Sequence, residues 1–73
     1  MEIYIERIIE TRKRKNIQQK ELCVALGMKQ AQLSRYEREG NALPIKYFIK
    51  IAEYLNEDTN YLLGLTDEPR SLE

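Results

Sequence analysis

The stretch QKELCVALGMKQAQLSRYE, residues 19–37, decides the fold. Apolar residues recur in both of its halves with the 3.6-residue period of a helix; they are Leu22, Ala25 and Leu26, then Leu33 and Tyr36. Gly27 stands between the halves, where a chain reversal favours a residue that adopts positive φ at little cost. The stretch therefore predicts two short helices joined by a tight turn.

The second of these helices has an opposite face of different chemistry. Small, polar and cationic residues fall on one stripe at the spacing i, i+3, i+4 and i+7; they are Ala31, Ser34, Arg35 and Arg38, with Gln30 and Gln32 beside them. One face packs, and the other offers hydrogen-bond donors to an anionic partner. This division is typical of a helix-turn-helix, whose second helix is the recognition helix.

Six residues carry a family resemblance: Gln19, Cys23, Gly27, Leu33, Tyr36 and Glu37. Over about residues 5–65 the chain resembles the Xre, Cro and phage-repressor class of helix-turn-helix proteins. The resemblance implies an all-α fold, a compact five-helix bundle containing the helix-turn-helix. It also implies sequence-specific binding of double-stranded DNA by a small transcriptional repressor, acting as a homodimer on a palindromic operator.

Composition excludes several other classes of protein. The 73 residues, 42% of them hydrophobic, predict one small domain, which we assign to residues 1–66, with a polar tail over residues 67–73. The absence of histidine and the single cysteine exclude disulfides, Cys/His zinc sites and histidine-assisted nucleophiles. We therefore expect no enzyme, no cofactor, no metal and no evident small-molecule ligand. Without an apolar run of membrane-spanning length or a secretory leader, a cytoplasmic protein of bacterial or phage origin is expected.

The net charge is zero, but the charges are unevenly distributed. Residues 1–40 hold nine Lys/Arg and six Asp/Glu, a net charge of +3, whereas residues 41–73 hold three and six, a net charge of −3. The basic half contains the helix-turn-helix, which favours nucleic acid. Zero net charge overall, and Glu39 just beyond the recognition stripe, favour the alternative: a protein-interaction module of the antitoxin or antirepressor type that retains the fold.

An ion pair is predicted between the first and third helices. Ile5, Ile8 and Ile9 form the apolar stripe of helix one, and Arg12 closes that stripe. A buried guanidinium without a partner is costly, and Glu37 lies at the edge of the packed face of helix three. Proteins of the resembling class pair an arginine and a glutamate at the matching places. The alternative is that Arg12 extends to solvent.

Five residues are predicted to read DNA bases: Lys29, Gln30, Ala31, Ser34 and Arg35. Arg35 leads because a guanidinium can grip both acceptors of guanine, while an amide suits adenine and a methyl group suits thymine. Gln19, Arg38 and Asn41 are predicted to contact phosphates. In the resembling class the glutamine at position 19 also braces the one at position 30.

Four further expectations concern the end of helix one, the inward face of helix four and the residues that follow it. Arg14 and Lys15 suit the negative end of a helix dipole, and contact with phosphates remains open. Helix four, over about residues 45–55, is predicted to turn inward the apolar residues Phe48, Ile51, Ala52 and Leu55, broadened by Ile45 and Ile49. Glu57 stands where relatives often have an aliphatic residue, so looser packing is expected there.

The final apolar residues are predicted to form a dimer interface, with closure of the monomer core as the alternative; they are Tyr61, Leu62 and Leu65.

Overall fold

The structure is a computed structural model that describes residues 1–70 and 72, and within these residues the chain forms five α-helices. They are α1 (Ile3–Arg14), α2 (Gln19–Leu26), α3 (Gln30–Glu39), α4 (Ile45–Leu55) and α5 (Thr59–Leu62). The predicted all-α bundle with a helix-turn-helix, α2 and α3, is confirmed. Ser71 and Glu73 of the predicted tail lie outside the described residues.

The turn between α2 and α3 has the predicted glycine geometry. Gly27 adopts φ +67. The N–H of Met28 donates to the carbonyl of Cys23 at 3.0 Å, and the N–H of Gly27 donates to that of Val24 at 3.3 Å. These are the paired bonds of a Schellman motif, which satisfies the last carbonyls of α2 and requires positive φ at its glycine. The local sequence thus fixes the place where α2 ends and the chain reverses.

The core lies where the five helices meet. Its most deeply buried apolar side chains come from every helix: Ile5 and Ile8, Leu22, Leu33, Ile51 and Leu55, and Leu62. Cys23 is also buried. Burial raises the pKa of its thiol, the negative charge of Glu37 raises it further, and Arg12 opposes the shift. The cysteine therefore packs as a protonated, apolar side chain.

Three apolar residues predicted to face inward are exposed. On α2 the buried face runs through Leu22, Cys23 and Leu26, so Ala25 lies outside it. On α4 the exposed fractions of Ile45 and Ile49 are 69% and 52%. Ile49 lies roughly 100° around the helix from the centre of the buried stripe. Ile45 is the first residue of the helix.

The chain start is fastened to the loop after α3. Gly40 ends α3 with φ +72 and is buried beneath Met1. A Cβ at this glycine would lie 2.7 Å from Met1 Cγ, and the N–H of Glu2 donates to the Gly40 carbonyl at 2.7 Å. The position therefore requires glycine for two reasons, its backbone conformation and this close approach.

The corner at Glu57 is tightly bonded, although an open apolar groove lined by Phe48, Ile49 and Glu57 lies beside it, so the looser packing expected there stays a prediction. The Glu57 side chain is fully buried, and its carboxylate pairs with the Arg14 guanidinium at 2.6 Å. The other carboxylate oxygen accepts the N–H of Arg70 at 2.5 Å and that of Asp58 at 3.2 Å. A buried carboxylate whose oxygens are bonded in this way is stable in the interior. An ion pair and hydrogen bonds thus hold this corner.

The tail predicted over residues 67–73 returns to the bundle in its described part. Arg7 stacks 4.1 Å above the Tyr61 ring, donates to the Tyr61 and Thr66 carbonyls at 2.9 Å each, and pairs with Asp67 at 3.2 Å. The N–H of Asp58 donates to the Arg70 carbonyl at 3.0 Å. Arg7 thus holds the last part of the described chain directly, and Glu57, which is paired with Arg14, holds it through the N–H of Arg70.

We expect Glu57→Ala to lower the free energy of unfolding by about 1–3 kcal/mol, because the part-buried N–H of Arg70 loses its acceptor and the Arg14 guanidinium loses its partner. Urea denaturation followed by circular dichroism measures the change. Glu53→Ala, on the exposed face of α4, is the matched control and should shift stability by less than about 0.5 kcal/mol. Equal effects of the two substitutions would contradict the anchoring role of Glu57.

Candidate nucleic-acid interface

The exposed face of α3 is a shallow depression with cationic walls. It is lined by Lys29, Ala31, Gln32, Ser34, Arg35 and Arg38. Four of the five predicted base readers therefore share this surface, and the fifth, Gln30, is exposed on the first turn of α3. Gln32, predicted only as a flanking residue, lines the depression as well. The face offers donors and one methyl group to a partner.

Arg35 projects from the middle of α3 and is braced by its neighbour. Its guanidinium carbon lies 5.0 Å from the centre of the Tyr36 ring. Tyr36 is buried, so the aromatic ring is fixed by the core and offers a rigid surface to the cation. Lys29, by contrast, occupies the N-cap of α3 and forms no side-chain cap. The same face thus carries Arg35, which is held against an aromatic ring, and Lys29, whose side chain caps no backbone N–H group of the helix.

Arg12 and Glu37 form a bidentate pair. Nε of Arg12 donates to Glu37 Oε2 at 3.1 Å, and Nη2 donates to Oε1 at 3.0 Å. The two side chains are only 8% and 10% exposed. Nη1 of Arg12 donates in addition to the carbonyl of Ile17 at 3.0 Å. The arginine therefore joins α1, the connection between α1 and α2, and α3.

Gln19 extends this pair toward the exposed face. Its Nε2 donates to Glu37 Oε1 at 2.9 Å, and its Oε1 accepts the hydroxyl of Ser34 at 2.9 Å. The brace to Gln30 that the resemblance implies is longer, 3.5 Å between Gln30 Nε2 and Gln19 Oε1. Sequence reasoning missed the Ser34 and Glu37 contacts of Gln19. Residues 30, 34 and 37 share one side of α3 at the spacing i, i+4 and i+7, and that pattern is the signal that could have found them.

The two cationic residues at the end of α1, Arg14 and Lys15, form bonds within the chain. Arg14 pairs with Glu10 at 3.4 Å and with Glu57 at 2.6 Å. Nζ of Lys15 donates to the carbonyls of Leu55 at 2.5 Å and Asn56 at 3.3 Å, where it meets the negative end of α4. Both residues therefore fasten the end of α1 to the corner after α4. The open expectation of phosphate contacts gains no support from this arrangement.

The two other predicted phosphate contacts lie at and beyond the end of α3. Arg38 is exposed in the last turn of the helix, and Asn41 is exposed in the loop that follows. Ala42 in this loop adopts φ +64, a left-handed conformation that glycine adopts more easily. Glu39 is also exposed here, so the loop presents both signs of charge.

Two of the three residues predicted to form a dimer interface, Tyr61 and Leu62, are buried within the monomer, so the prediction is wrong for them. Tyr61 is 4% exposed and Leu62 is 0% exposed, because the single turn of α5 packs against α1 within the monomer. The hydroxyl of Tyr61 also bonds to Glu10 of α1. Leu65 is 73% exposed. Only Leu65 of the three is therefore available to a partner.

In the part of the chain that the structure describes, no helix is long and apolar enough to span a membrane. No group of three or more His, Cys, Asp or Glu side chains in that same part is arranged to hold a metal ion.

We expect Arg12→Ala and Glu37→Ala each to lower the free energy of unfolding by about 3–5 kcal/mol, because each leaves a buried charge without its partner. The double variant should lose less than the sum, since removing both charges avoids that penalty in part. Denaturant titration of all four proteins measures the coupling.

Lys13→Ala and Glu39→Ala are the controls for this cycle, since both side chains are exposed on the same two helices. Each should change stability by less than about 0.5 kcal/mol. Additive losses of this small size at Arg12 and Glu37 would mean that their pairing contributes nothing to the fold.

Comparison with known proteins agrees with this architecture. A family model described as helix-turn-helix matches residues 8–62. An uncharacterized HTH-type transcriptional regulator, YobD of Bacillus subtilis (strain 168), is 27% identical over 67 residues, which cover 92% of this chain and 60% of that protein. The chain thus spans less than two thirds of the length of this curated relative. No solved structure matches the chain. Because the matched range contains α2, the glycine turn and α3, the chain belongs to the Xre/Cro-type helix-turn-helix family.

Proposed function

We propose that the chain is a sequence-specific double-stranded DNA-binding regulator of transcription, with α3 in the major groove and α2 across the backbone. One observation carries the proposal. The face of α3 that the core leaves exposed bears Lys29, Arg35 and Arg38, and Gln19 of α2 is bonded to that face through Ser34. The family supports DNA as the partner, and similarity to an HTH-type transcriptional regulator supports regulation of transcription.

The side chains of this face differ in what they offer a base. Arg35 donates from a planar fork and suits the O6 and N7 acceptors of guanine. Gln30 offers an amide to adenine, Ala31 a methyl group to the thymine methyl, and Ser34 a hydroxyl. Lys29, at the helix start, adds a flexible donor. Base reading is therefore assigned to α3, with Arg35 as its main specific contact.

Backbone contacts are assigned to Gln19, Arg38 and Asn41, which would set the register on phosphates. Because residues 1–40, which contain the helix-turn-helix, carry a net charge of only +3, the number of DNA phosphates that the protein neutralises should be small as well. We therefore expect modest affinity for each monomer and a shallow dependence on salt.

A repressor acting as a homodimer on a palindromic operator is the more specific form of the proposal. Leu65 and Leu63 expose 73% and 44% of their surfaces after α5. Contact between two copies through these leucines would remove apolar surface from water. A two-fold dimer binds two inverted half-sites, so symmetry of the site would report symmetry of the protein.

The alternative is a protein-interaction module that retains the helix-turn-helix. Exposed Glu39 beside Arg38 favours it, since a carboxylate near a phosphate is repelled. In this alternative Arg35 faces a protein and affinity for DNA is incidental. The two functions differ in whether removal of Arg35 alters preference among DNA sequences.

We expect Arg35→Ala to cost about 1–3 kcal/mol on the preferred duplex and to relax selection at one base pair, because it removes a bidentate base contact. Arg38→Ala should weaken all duplexes about equally and reduce the slope of log affinity against log salt by roughly one. Salt titrations on selected and scrambled duplexes distinguish the two effects.

The control for both substitutions is Arg70→Ala, which removes the same charge from an exposed side chain of the tail. It should leave affinity and selection nearly unchanged. A wild-type protein that prefers no duplex from a random library at physiological salt would reject DNA reading and favour the protein-interaction module.

We expect Leu65→Asp to weaken self-association, because it places a charge in an apolar contact. Sedimentation of the protein alone and on its selected duplex measures the effect. The matched control, Leu72→Asp, alters an exposed leucine of the tail and should leave the dimer intact. Selected DNA without inverted half-sites about one helical turn apart would contradict the symmetric dimer.

A further inference from the structure

The hydrogen bonds that lead from the core to the face of α3 have a fixed direction. They begin at the guanidinium of Arg12, which can only donate, and at the carboxylate of Glu37, which in this ion pair accepts. Both oxygens of Glu37 already accept from Arg12, and Oε1 also accepts from Gln19. The group that Gln19 turns toward Glu37 must therefore be its NH2, because a carbonyl oxygen there would face a carboxylate oxygen with no proton between them.

The orientation of Gln19 in turn determines the role of Ser34. With its nitrogen directed at Glu37, the amide of Gln19 presents its oxygen to α3, and a carbonyl oxygen only accepts. The Ser34 oxygen lies 2.9 Å from it, so the single proton of the serine hydroxyl is directed inward. The lone pairs of the hydroxyl remain for a partner outside the protein.

Ser34 lies where such a partner would sit. It is half-buried, and it lines the α3 depression beside Ala31 and Arg35. In the major groove, adenine N6 and cytosine N4 are donors, whereas thymine O4 and guanine O6 are acceptors. A hydroxyl whose proton is already used forms a hydrogen bond with the first pair of groups and has none to offer the second.

We propose that Ser34 reads DNA as a hydrogen-bond acceptor, selecting adenine or cytosine over guanine or thymine on the contacted strand. Gln19, held by Glu37, is the positioning residue that imposes this choice. The inference rests on the proposed DNA-binding function and extends it. Two neighbouring residues of α3 would require opposite hydrogen-bonding groups on the DNA bases. Arg35, a donor only, selects acceptors, and Ser34 selects donors.

The test compares Gln19→Met, Ser34→Ala and the wild type on duplexes that vary each base pair of the selected site in turn. The wild type should show one base pair at which adenine and cytosine are both favoured about fivefold over guanine and thymine, as expected for one neutral hydrogen bond. Both variants should reduce this ratio to near one.

The two variants should lose discrimination for different reasons. Gln19→Met keeps the length of the side chain but releases the serine proton, so binding to guanine and thymine should improve relative to the other bases. Ser34→Ala removes the acceptor, so binding to adenine and cytosine should fall. Loss of a phosphate contact by Gln19→Met would weaken all duplexes alike and leave the ratio unchanged, which separates positioning from affinity.

Gln18→Met is the matched control, because Gln18 precedes Gln19, is exposed and forms no side-chain cap on α2. It should retain the wild-type ratio. An unchanged ratio in Gln19→Met, or changes at different base pairs in Gln19→Met and Ser34→Ala, would overturn the inference while leaving DNA binding intact. A wild type without any sequence preference would instead reject the proposed function itself.

Discussion

The buried ion pair of Arg12 and Glu37 is the contact on which the arrangement of α1, α2 and α3 depends. Two charges removed from water stabilise a fold only when their geometry is good and their remaining polar atoms are bonded. Here two parallel bonds join the partners, the Ile17 carbonyl accepts a third N–H, and Gln19 donates to the carboxylate. Because Arg12 belongs to α1, Glu37 to α3 and Gln19 to α2, and the Ile17 carbonyl to the connection between α1 and α2, the pair holds three helices and one connection at a single point.

The same pair links the stability of the core to the chemistry of the surface. Glu37 determines which end of the Gln19 amide faces inward, and Gln19 determines where the Ser34 proton points. Each step follows from which atoms of these side chains can donate or accept a hydrogen bond, and not from long-range electrostatics. A substitution at the buried pair would therefore act on the exposed face of α3 as well as on stability.

The cations of α1 and α3 have separate uses. Those of α1 bond to the corner after α4, to the tail and to the core: Arg7, Arg12, Arg14 and Lys15. Those of α3 remain on its outer face. A net charge of zero is therefore a poor guide to the electrostatics of that face, since much of the positive charge on α1 is paired within the fold.

The sequence by itself predicted the helices and the turn at Gly27, and it favoured pairing of Arg12 with Glu37 over exposure of Arg12, because helical period, glycine conformation and the cost of a lone buried charge are local or pairwise constraints. Periodicity also placed Phe48, Ile51 and Leu55 in the core, but tertiary structure decided which of the flanking apolar residues are covered. Ile49 lies outside the buried stripe of α4 and is exposed, whereas Tyr61 is enclosed by α1 within the monomer. Periodicity gives the angle of a side chain around its helix but not which element packs at that angle. It therefore groups residues 30, 34 and 37 on one side of α3 without identifying Gln19 as their common partner.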